Sequence, residues 1–381
     1  MKIFIIGNTA SNFYIFRKDF IIACKKSGYQ VFALISEFDK YWIEKIQSLG
    51  VEVITYKLKR SGINPLNDIK TIIELKKYID NHQPDLVFSF FTKPVIYGSL
   101  AAKLSSRKKI IGMIEGLGSP FTFHRNGQSL KIRLLKLIQI SLYRIVFPFL
   151  DKIIFLNYDD PKDLIHKNKI SYKDGAISIL GPIGLNLDDY PYTKWDEKGR
   201  FTFIFVARLL AEKGIYEFIE AAKIVKGKYS SVNFKVIGGL DTENPYGLTQ
   251  DQLNKLIDSK IIEYSGFVSN VKDHIAQSAV FVLPSYYREG VPRSTQEAMA
   301  IGRPVITTDV PGCRETVVDG VNGFLVPKWN VEALVDKMCY FINNPDQINK
   351  MGQESYHIAC QKFDVHKVNQ QLFEIIGLDH Q

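Results

Sequence analysis

Short apolar runs and longer segments with helical spacing alternate along almost the whole chain. The runs KIFIIG, YQVFALIS and PDLVFSFF have the length and the continuous apolar character of buried parallel strands. The segments between them place apolar side chains three or four positions apart, as amphipathic helices do. Strands that alternate with helices in this way predict βαβ units, and therefore an α/β fold built on parallel sheets.

The alternation occurs as two successive series. Between them, Gly181–Gly184 is rich in glycine and proline and residues 193–200 are polar, which is typical of a linker. A chain of 381 residues also exceeds what one hydrophobic core usually accommodates. We therefore predict two Rossmann-like parallel-sheet domains that face each other across a cleft. The predicted domains are residues 1–190 and 191–362, followed by a last helix in 363–381 that crosses back to the first domain.

Composition and cysteine usage indicate a soluble globular protein. Hydrophobic residues make up 46% of the chain and charged residues 23%. The amino-terminal apolar run breaks at Gly7, which predicts a first strand and not a signal peptide, and no apolar run is long enough to span a membrane. The four cysteines form no CxxC pair and are expected to be reduced thiols of a cytosolic protein: Cys24, Cys313, Cys339 and Cys360.

The excess of positive charge is local. The net charge is +9, and residues 101–150 contain nine Lys or Arg against one acid, Glu115. Such a patch suits nucleic acid, anionic lipid or a phosphorylated substrate. Because the sequence has no helix-turn-helix, zinc finger or aromatic RNA-binding platform, nucleic acid is not an expected partner.

Within this patch, residues 129–150 are predicted to form one helix. On a helical projection Ile140 and Phe147 lie among its basic residues, and leucines and isoleucines cover the opposite side. Two interpretations stay open: a packed helix with a solvated basic face, or an interfacial helix on an anionic membrane surface. The residues that would contact lipid are Arg133, Lys136 and Arg144.

Two carboxylates, Glu289 and Glu297, have seven residues between them. An apolar run that ends at Ser285 predicts a strand before Glu289. Helical spacing after Pro292, ended by Gly302, predicts a helix that carries Glu297. Ligands of open α/β sheets bind at the carboxyl ends of the strands, where this arrangement places both acids. Two solvated acids are the alternative, but a rigid glycine-containing loop after Glu289 favours a site.

A second candidate site follows the first strand of the second series. Arg208 ends that strand, and Lys213 precedes Gly214 at the start of the next helix. Two cations beside a helix amino terminus predict a site for an anion such as a diphosphate. The alternative is two surface cations. The turn after the first strand of the chain contains Gly7 but no GxGxxG, which argues against a dinucleotide cofactor but still admits an acceptor or a phosphate.

These motifs resemble those of a known enzyme family. The ARL…EKG turn, Gly266-Phe267 and the stretch from Leu283 to Val326 together resemble the retaining glycosyltransferases of family four, which have the GT-B fold. Met113–Phe121 and Gly181–Tyr190 resemble the bacterial subgroup that extends undecaprenyl-diphosphate-linked saccharides. That subgroup includes the N-acetylgalactosaminyltransferase of N-glycan assembly.

The resemblance implies roles for individual residues. Arg208 and Lys213 would stabilise the charge of the leaving diphosphate. Glu297 would bind the ribose hydroxyls, and Glu115 would bind the acceptor or act in catalysis, unless it is a satisfied loop carboxylate. The resemblance also implies that Glu289 contacts the donor sugar, to which Gly290 and Val291 offer their backbone amides. Phe267 and Val268, which follow Gly266, would face the base.

The expected activity is that of a metal-independent hexosyltransferase. It would move an N-acetylhexosamine or hexose from a nucleotide-diphosphate sugar, with UDP as nucleotide, to a polyprenyl-diphosphate-linked saccharide in surface polysaccharide or glycan assembly. The sequence has no DxD triplet, so we expect no metal and no cofactor besides the donor substrate. The expected location is the inner face of the cell membrane. Three alternatives stay open: a glycosyltransferase with a soluble acceptor, a nucleotide-sugar 2-epimerase, and a silent nucleotide-sugar-binding scaffold.

Overall fold

A computed structural model describes residues 1–59, 64–106, 109–125, 127–241, 244 and 246–379. Arg107 and Lys108 of the basic stretch lie outside this part of the chain. The chain forms two compact units, each discontinuous in sequence. The first unit consists of Met1–Pro120, Ser129–Ile183 and Val365–Gln381, and the second of Phe121–Gln128 and Gly184–Asp364.

The first unit is a seven-stranded parallel sheet covered by helices. Its strand order is β3-β2-β1-β4-β5-β6-β7, and every neighbouring pair is parallel. The strands are β1 (Lys2–Ile6), β2 (Gln30–Ile35), β3 (Glu52–Thr55), β4 (Leu86–Phe90), β5 (Lys109–Ile114), β6 (Lys152–Phe155) and β7 (Ile177–Ile179). The helices are α1 (Ala10–Lys26), α2 (Lys40–Gln47), α3 (Pro65–His82), α4 (Thr92–Leu104), α5 (Leu130–Val146) and the single turn α6 (Asp159–Pro161), which continues as a π-helix through Lys162–His166.

The helices of the first unit lie in two groups. Helix α4 packs against both α3 and α5, and α1 packs against α2 and the last helix of the chain, α13 (Val365–Ile376). Phe373 of α13 meets the ring of Phe20 edge-on, with ring centroids 5.6 Å apart. The last helix is therefore part of the core of the first unit.

The second unit is a six-stranded parallel sheet with the order β10-β9-β8-β11-β12-β13. Its strands are β8 (Thr202–Val206), β9 (Asn233–Ile237), β10 (Glu263–Tyr264), β11 (Val280–Leu283), β12 (Val305–Thr308) and β13 (Gly323–Val326). Its helices are α7 (Ile215–Lys228), α8 (Gln250–Asp258), α9 (Val271–Ala276), α10 (Arg293–Ile301), α11 (Val331–Asn343) and α12 (Asp346–Lys362). The central strands β8, β11 and β12 are buried along their whole length, which explains their continuous apolar sequence.

The predicted α/β class with two parallel-sheet units is confirmed. The second unit begins at Gly184, ahead of the predicted boundary at residue 190, because Leu185 pairs with Asp364 and Tyr190 hydrogen bonds to Glu297. In the described part of the chain, no helix is long and apolar enough to cross a membrane.

Candidate active site

The turn after β8 carries the two predicted diphosphate-binding cations. Arg208 forms an ion pair with Asp241, and its side chain is 40% exposed. Lys213 ends a 3₁₀ turn (Ala211–Lys213), and Gly214 follows with φ +81°. A Cβ atom at Gly214 would lie 2.2 Å from the carbonyl oxygen of Pro284. The absence of a side chain at Gly214 therefore lets this turn lie directly against the loop that leaves β11.

Glu289 lies on that loop and meets Lys213. The Nζ atom of Lys213 lies 2.5 Å from Oε2 of Glu289, and both side chains are largely buried. The hydroxyl of Ser285 donates a hydrogen bond to Oε1 at 2.9 Å. Both carboxylate oxygens are thus held, and the two predicted candidate sites form one cluster of charges at the carboxyl edge of the sheet.

The same loop is tied to the 3₁₀ turn by its backbone. The amides of Tyr286 and Tyr287 donate to the carbonyl oxygen of Glu212 at 2.8 and 3.0 Å. The buried thiol of Cys313 lies beneath Glu289, with Sγ 4.0 Å from Oε1. Burial, with a smaller contribution from the charge of Glu289, raises the pKa of Cys313 to about 12. This thiol is therefore protonated and inert at neutral pH.

Glu297 lies on α10, as predicted, and one of its oxygens has two donors. Its Oε1 accepts hydrogen bonds from the hydroxyl of Tyr190 at 3.0 Å and from Nε of Arg293 at 3.1 Å. Nη1 of Arg293 donates to the carbonyl oxygen of Gly184 at 3.1 Å. Burial and the adjacent Glu297 carboxylate raise the pKa of Tyr190, so its hydroxyl stays a donor at neutral pH.

The residues expected around the base and the donor sugar lie near the ends of β10 and β11. Gly266 has φ +69°, and its carbonyl oxygen accepts from the amide of Gly238 at 2.9 Å. Phe267 is 85% exposed, whereas Val268 packs partly against the core. Gly290 and Val291 are buried. Their contacts with a donor stay predictions.

The two candidate residues of the first unit are engaged in its interior. Glu115 forms a buried ion pair with Arg17, which stacks over the ring of Phe90 at 4.2 Å. This ion pair holds Glu115 in the interior of the first unit, and its role in acceptor binding or catalysis stays a prediction. Gly7 donates its amide to Leu34 at 2.9 Å, and its carbonyl accepts from the hydroxyl of Tyr56 at 2.7 Å. Both backbone groups of Gly7 are occupied, which does not favour the predicted substrate contact.

Helix α5 presents a different face to solvent from the predicted one. Ile140 and Phe147, expected among the basic residues of the outer face, are buried. Arg133 is exposed, Lys136 is half-buried, and Arg144 donates to the carbonyl oxygen of Asn168 at 2.9 Å. An apolar stripe beside Arg133 and Arg144 is exposed instead: Leu130 at 82%, Leu134 at 59%, Leu137 at 62% and Ile145 at 57%. The helical projection was wrong because both sides of α5 are apolar, and only its packing partners decide which side is buried.

Several site residues were not predicted. Tyr190 and Asp241 contact Glu297 and Arg208 from distant parts of the sequence. The segment 121–128 contributes His124, whose Nε2 lies 3.6 Å from Oε1 of the fully buried Glu212 and whose ring stacks on Tyr246. Burial lowers the pKa of His124. No local sequence signal reveals these contacts, because each joins residues that only the fold brings together.

Comparisons with known proteins identify the family. Residues 193–358 match the glycosyl transferases group 1, and residues 2–157 match the glycosyl transferase 4-like family. The two matched ranges together cover most of the chain, which is therefore a glycosyltransferase. This glycosyltransferase is 29% identical, over 90% of both chains, to the N,N'-diacetylbacillosaminyl-diphospho-undecaprenol alpha-1,3-N-acetylgalactosaminyltransferase of Campylobacter jejuni. It is 26% identical to the UDP-Gal:alpha-D-GlcNAc-diphosphoundecaprenol alpha-1,3-galactosyltransferase of Escherichia coli, over 92% of this chain and 86% of that one.

Solved structures show the same fold. Anabaena HepE in complex with UDP-glucose superposes with a TM-score of 0.79 at 17% identity, over 99% of both chains. The sucrose-phosphate synthase of Thermosynechococcus elongatus superposes with a TM-score of 0.77 at 17% identity, over 98% of both chains. These similarities confirm the GT-B fold of this glycosyltransferase.

Proposed function

We propose that this glycosyltransferase moves a sugar from a UDP-sugar to a polyprenyl-diphosphate-linked saccharide, with retention of configuration. The observation that carries the proposal is the pairing of Lys213 with Glu289, at 2.5 Å, beside the turn that bears Arg208. The names of the relatives from Campylobacter jejuni and Escherichia coli support a lipid-linked acceptor, and the second of them supports a UDP-sugar donor.

In this proposal the charges of the cluster stabilise the leaving group. The bond between the anomeric carbon and the diphosphate oxygen breaks, an acceptor hydroxyl oxygen forms the new bond to that carbon, and the hydroxyl proton passes to an oxygen of the departing diphosphate. The departing UDP gains negative charge, which Lys213 and Arg208 stabilise more strongly than they do in the ground state. Glu289 orients Lys213 and contacts the sugar, and Glu297 binds the ribose.

The proposed transfer needs no metal, because two cationic side chains supply the charge that a divalent ion supplies elsewhere. The expected result is full activity after treatment with EDTA. Complete loss of activity in EDTA, restored by Mg²⁺ or Mn²⁺, would contradict this part of the proposal.

The acceptor lipid implies a membrane, and we assign the contact to the inner face of the cell membrane through α5. Its exposed stripe of leucines lies beside the exposed Arg133, so apolar insertion and attraction to anionic headgroups act on one surface. Helix α3 packs against α4, as α5 does, and adds a second exposed apolar stripe. Its members are Leu66 at 74%, Ile69 at 54% and Ile73 at 61% exposure, and the exposed Lys70 and Lys77 lie on the same helix.

The decisive test of the reaction measures nucleotide release from UDP-, GDP- and dTDP-sugars, with and without polyprenyl-diphosphate saccharides. The variants are Lys213→Met and, as a matched control, Lys223→Met, an exposed lysine of α7 that pairs with Glu220. We expect acceptor-stimulated release from a UDP-sugar that Lys213→Met loses and Lys223→Met keeps. Donor binding without release would favour the silent scaffold. Release with free sugars alone would favour the soluble acceptor, and an epimerised donor without acceptor would favour the epimerase.

Sedimentation with vesicles tests the membrane contact. We expect binding to vesicles that contain phosphatidylglycerol and weak binding to phosphatidylcholine alone. Leu134→Asp with Leu137→Asp should abolish binding, and Ile69→Asp with Ile73→Asp should weaken it. The control is Ile224→Asp, because Ile224 is similarly exposed but lies on α7 of the second unit. If neither double variant changes sedimentation, the membrane contact is wrong.

A further inference from the structure

The carboxylate of Glu297 is held in an asymmetric way. Tyr190 and Arg293 both donate to Oε1, at 3.0 and 3.1 Å. Among the residues that the structure describes, no donor is placed on Oε2. One oxygen is thus saturated by the protein, and the other is left to accept hydrogen bonds from a ligand.

The two donors come from different places and restrict the side chain in different ways. Arg293 precedes Glu297 by one helical turn on α10 and holds it from the same helix. Tyr190 is 107 positions away in sequence and holds it from the segment that opens the second unit. A glutamate fixed by two partners loses less conformational freedom when a ligand binds, so its contact with that ligand contributes more to affinity.

Arg293 is itself anchored at both ends of its guanidinium. While Nε contacts Glu297, Nη1 donates to the carbonyl oxygen of Gly184 at 3.1 Å. The ammonium of a lysine is a single point and does not reproduce two contacts in fixed directions. Arg293 therefore links the start of Gly184–Tyr190 to the carboxylate that Tyr190 also contacts.

We infer that Tyr190 and Arg293 are positioning residues that make the donor site select ribonucleotides over 2′-deoxyribonucleotides. The inference rests on the proposed contact between Glu297 and the ribose. A carboxylate whose Oε1 is occupied can accept hydrogen bonds from the ribose hydroxyls at Oε2. A nucleotide that lacks the 2′-hydroxyl leaves this oxygen with fewer hydrogen bonds. Selection of this kind favours UDP-sugars over dTDP-sugars.

Calorimetric titration of the full chain with UDP and with 2′-deoxy-UDP tests this inference. For the wild type we expect UDP to bind at least about tenfold more tightly than 2′-deoxy-UDP. Glu297→Gln should remove most of this preference. Tyr190→Phe and Arg293→Lys should each reduce it by about fivefold, through weaker binding of UDP and nearly unchanged binding of 2′-deoxy-UDP.

Two variants serve as matched controls. Tyr192→Phe makes the same change two positions along, where the ring packs against Tyr356 at 5.1 Å. Arg314→Lys changes an arginine that pairs with Asp309. Both should keep the wild-type preference.

The outcomes separate this inference from the proposed function. If Glu297→Gln loses the preference and Tyr190→Phe and Arg293→Lys keep it, Glu297 contacts the ribose but the two positioning roles are overturned. If Tyr190→Phe weakens both nucleotides equally, its role is structural and the inference fails. If the wild type binds neither nucleotide, or binds both equally, the proposed contact between Glu297 and the ribose is wrong, and so is the inference that rests on it.

Discussion

Lys213 and Glu289 meet at the carboxyl edge of the second sheet because the 3₁₀ turn after β8 and the loop after β11 lie side by side. The sequence placed both residues at strand ends, since strand and helix boundaries are local signals. It did not reveal that Asp241 pairs with Arg208 or that Tyr190 reaches Glu297. Contacts between side chains depend on which strands are neighbours, and that is a property of the whole sheet.

The pairing of Arg208 with Asp241 predicts competition with the donor diphosphate. Asp241→Asn should tighten UDP binding, because Arg208 then no longer has to leave a carboxylate in order to bind the diphosphate. The expected gain is only about two- to threefold, because the ion pair is partly exposed and therefore screened by solvent. Arg208→Met should weaken binding by about tenfold. In the double variant the benefit of Asp241→Asn should disappear. Calorimetry with UDP measures all three, and weaker binding by Asp241→Asn would contradict the competition.

The burial of Cys313 predicts selective alkylation. At pH 8 a thiol whose pKa is about 12 is almost wholly protonated, and its thiolate fraction rises only as the pH approaches that value. We expect iodoacetamide to modify the half-buried Cys339 and Cys360 in the folded protein and to spare Cys313. Peptide mass spectrometry at pH 8 measures this, with the unfolded protein in urea as the control in which Cys313 reacts. Rapid labelling of Cys313 in the folded protein would show that the thiol is accessible.

At the scale of elements, the fold was predicted well where burial is continuous and poorly where strands are short. The central strands and α10 lie where the apolar runs and Gly302 placed them. The strands β7 and β13 are not predicted by the apolar pattern, because the three-residue β7 is only half-buried and β13 begins with a glycine. For α5, the same pattern predicted the wrong exposed face. Periodicity shows that a helix has an apolar side. When a helix has two apolar sides, only the elements packed against it determine which side is buried.

The contact of the 3₁₀ turn with the β11 loop predicts opposite effects for two glycines. Gly214→Ala should lower the free energy of unfolding by about 2 kcal/mol or more, since φ is +81° and the new Cβ would meet the carbonyl of Pro284. It should also displace Lys213 and reduce UDP binding. Gly227→Ala on α7, where nothing lies within 4 Å, should stabilise by about 0.5 to 1 kcal/mol. Chemical denaturation of both variants measures the difference, and equal effects would contradict the close approach.

At the scale of the whole molecule, sequence order and spatial order differ. The segment 121–128 interrupts the first unit and packs in the second, where the hydroxyl of Thr122 accepts from the amide of Arg288 at 3.1 Å. The last helix belongs to the first unit. The sequence predicted two parallel-sheet domains, but it did not predict that residues 121–128 belong to the second unit. A short segment without the pattern of a strand or helix does not indicate the unit in which it packs.

The position of α13 predicts that a change near the carboxyl terminus destabilises the amino-terminal strands. Phe373→Ala should cost about 3 to 5 kcal/mol, because the fully buried ring packs on Phe20. Hydrogen exchange should then accelerate in β1 and β2 while β8 and β11 keep their protection. Glu374→Ala, at an exposed position of the same helix, is the control. Accelerated exchange in β8 and β11 alone would contradict this assignment of the last helix.

The placement of the last helix also has a consequence for how the chain is made. A ribosome releases β1 and β2 first, but the helix that covers α1 emerges only after the entire second unit. Until α13 has been made, the apolar surface around Phe20 lacks its partner, whereas the second unit has all of its strands and helices available earlier. The unit whose sequence begins first is therefore the one that is completed last.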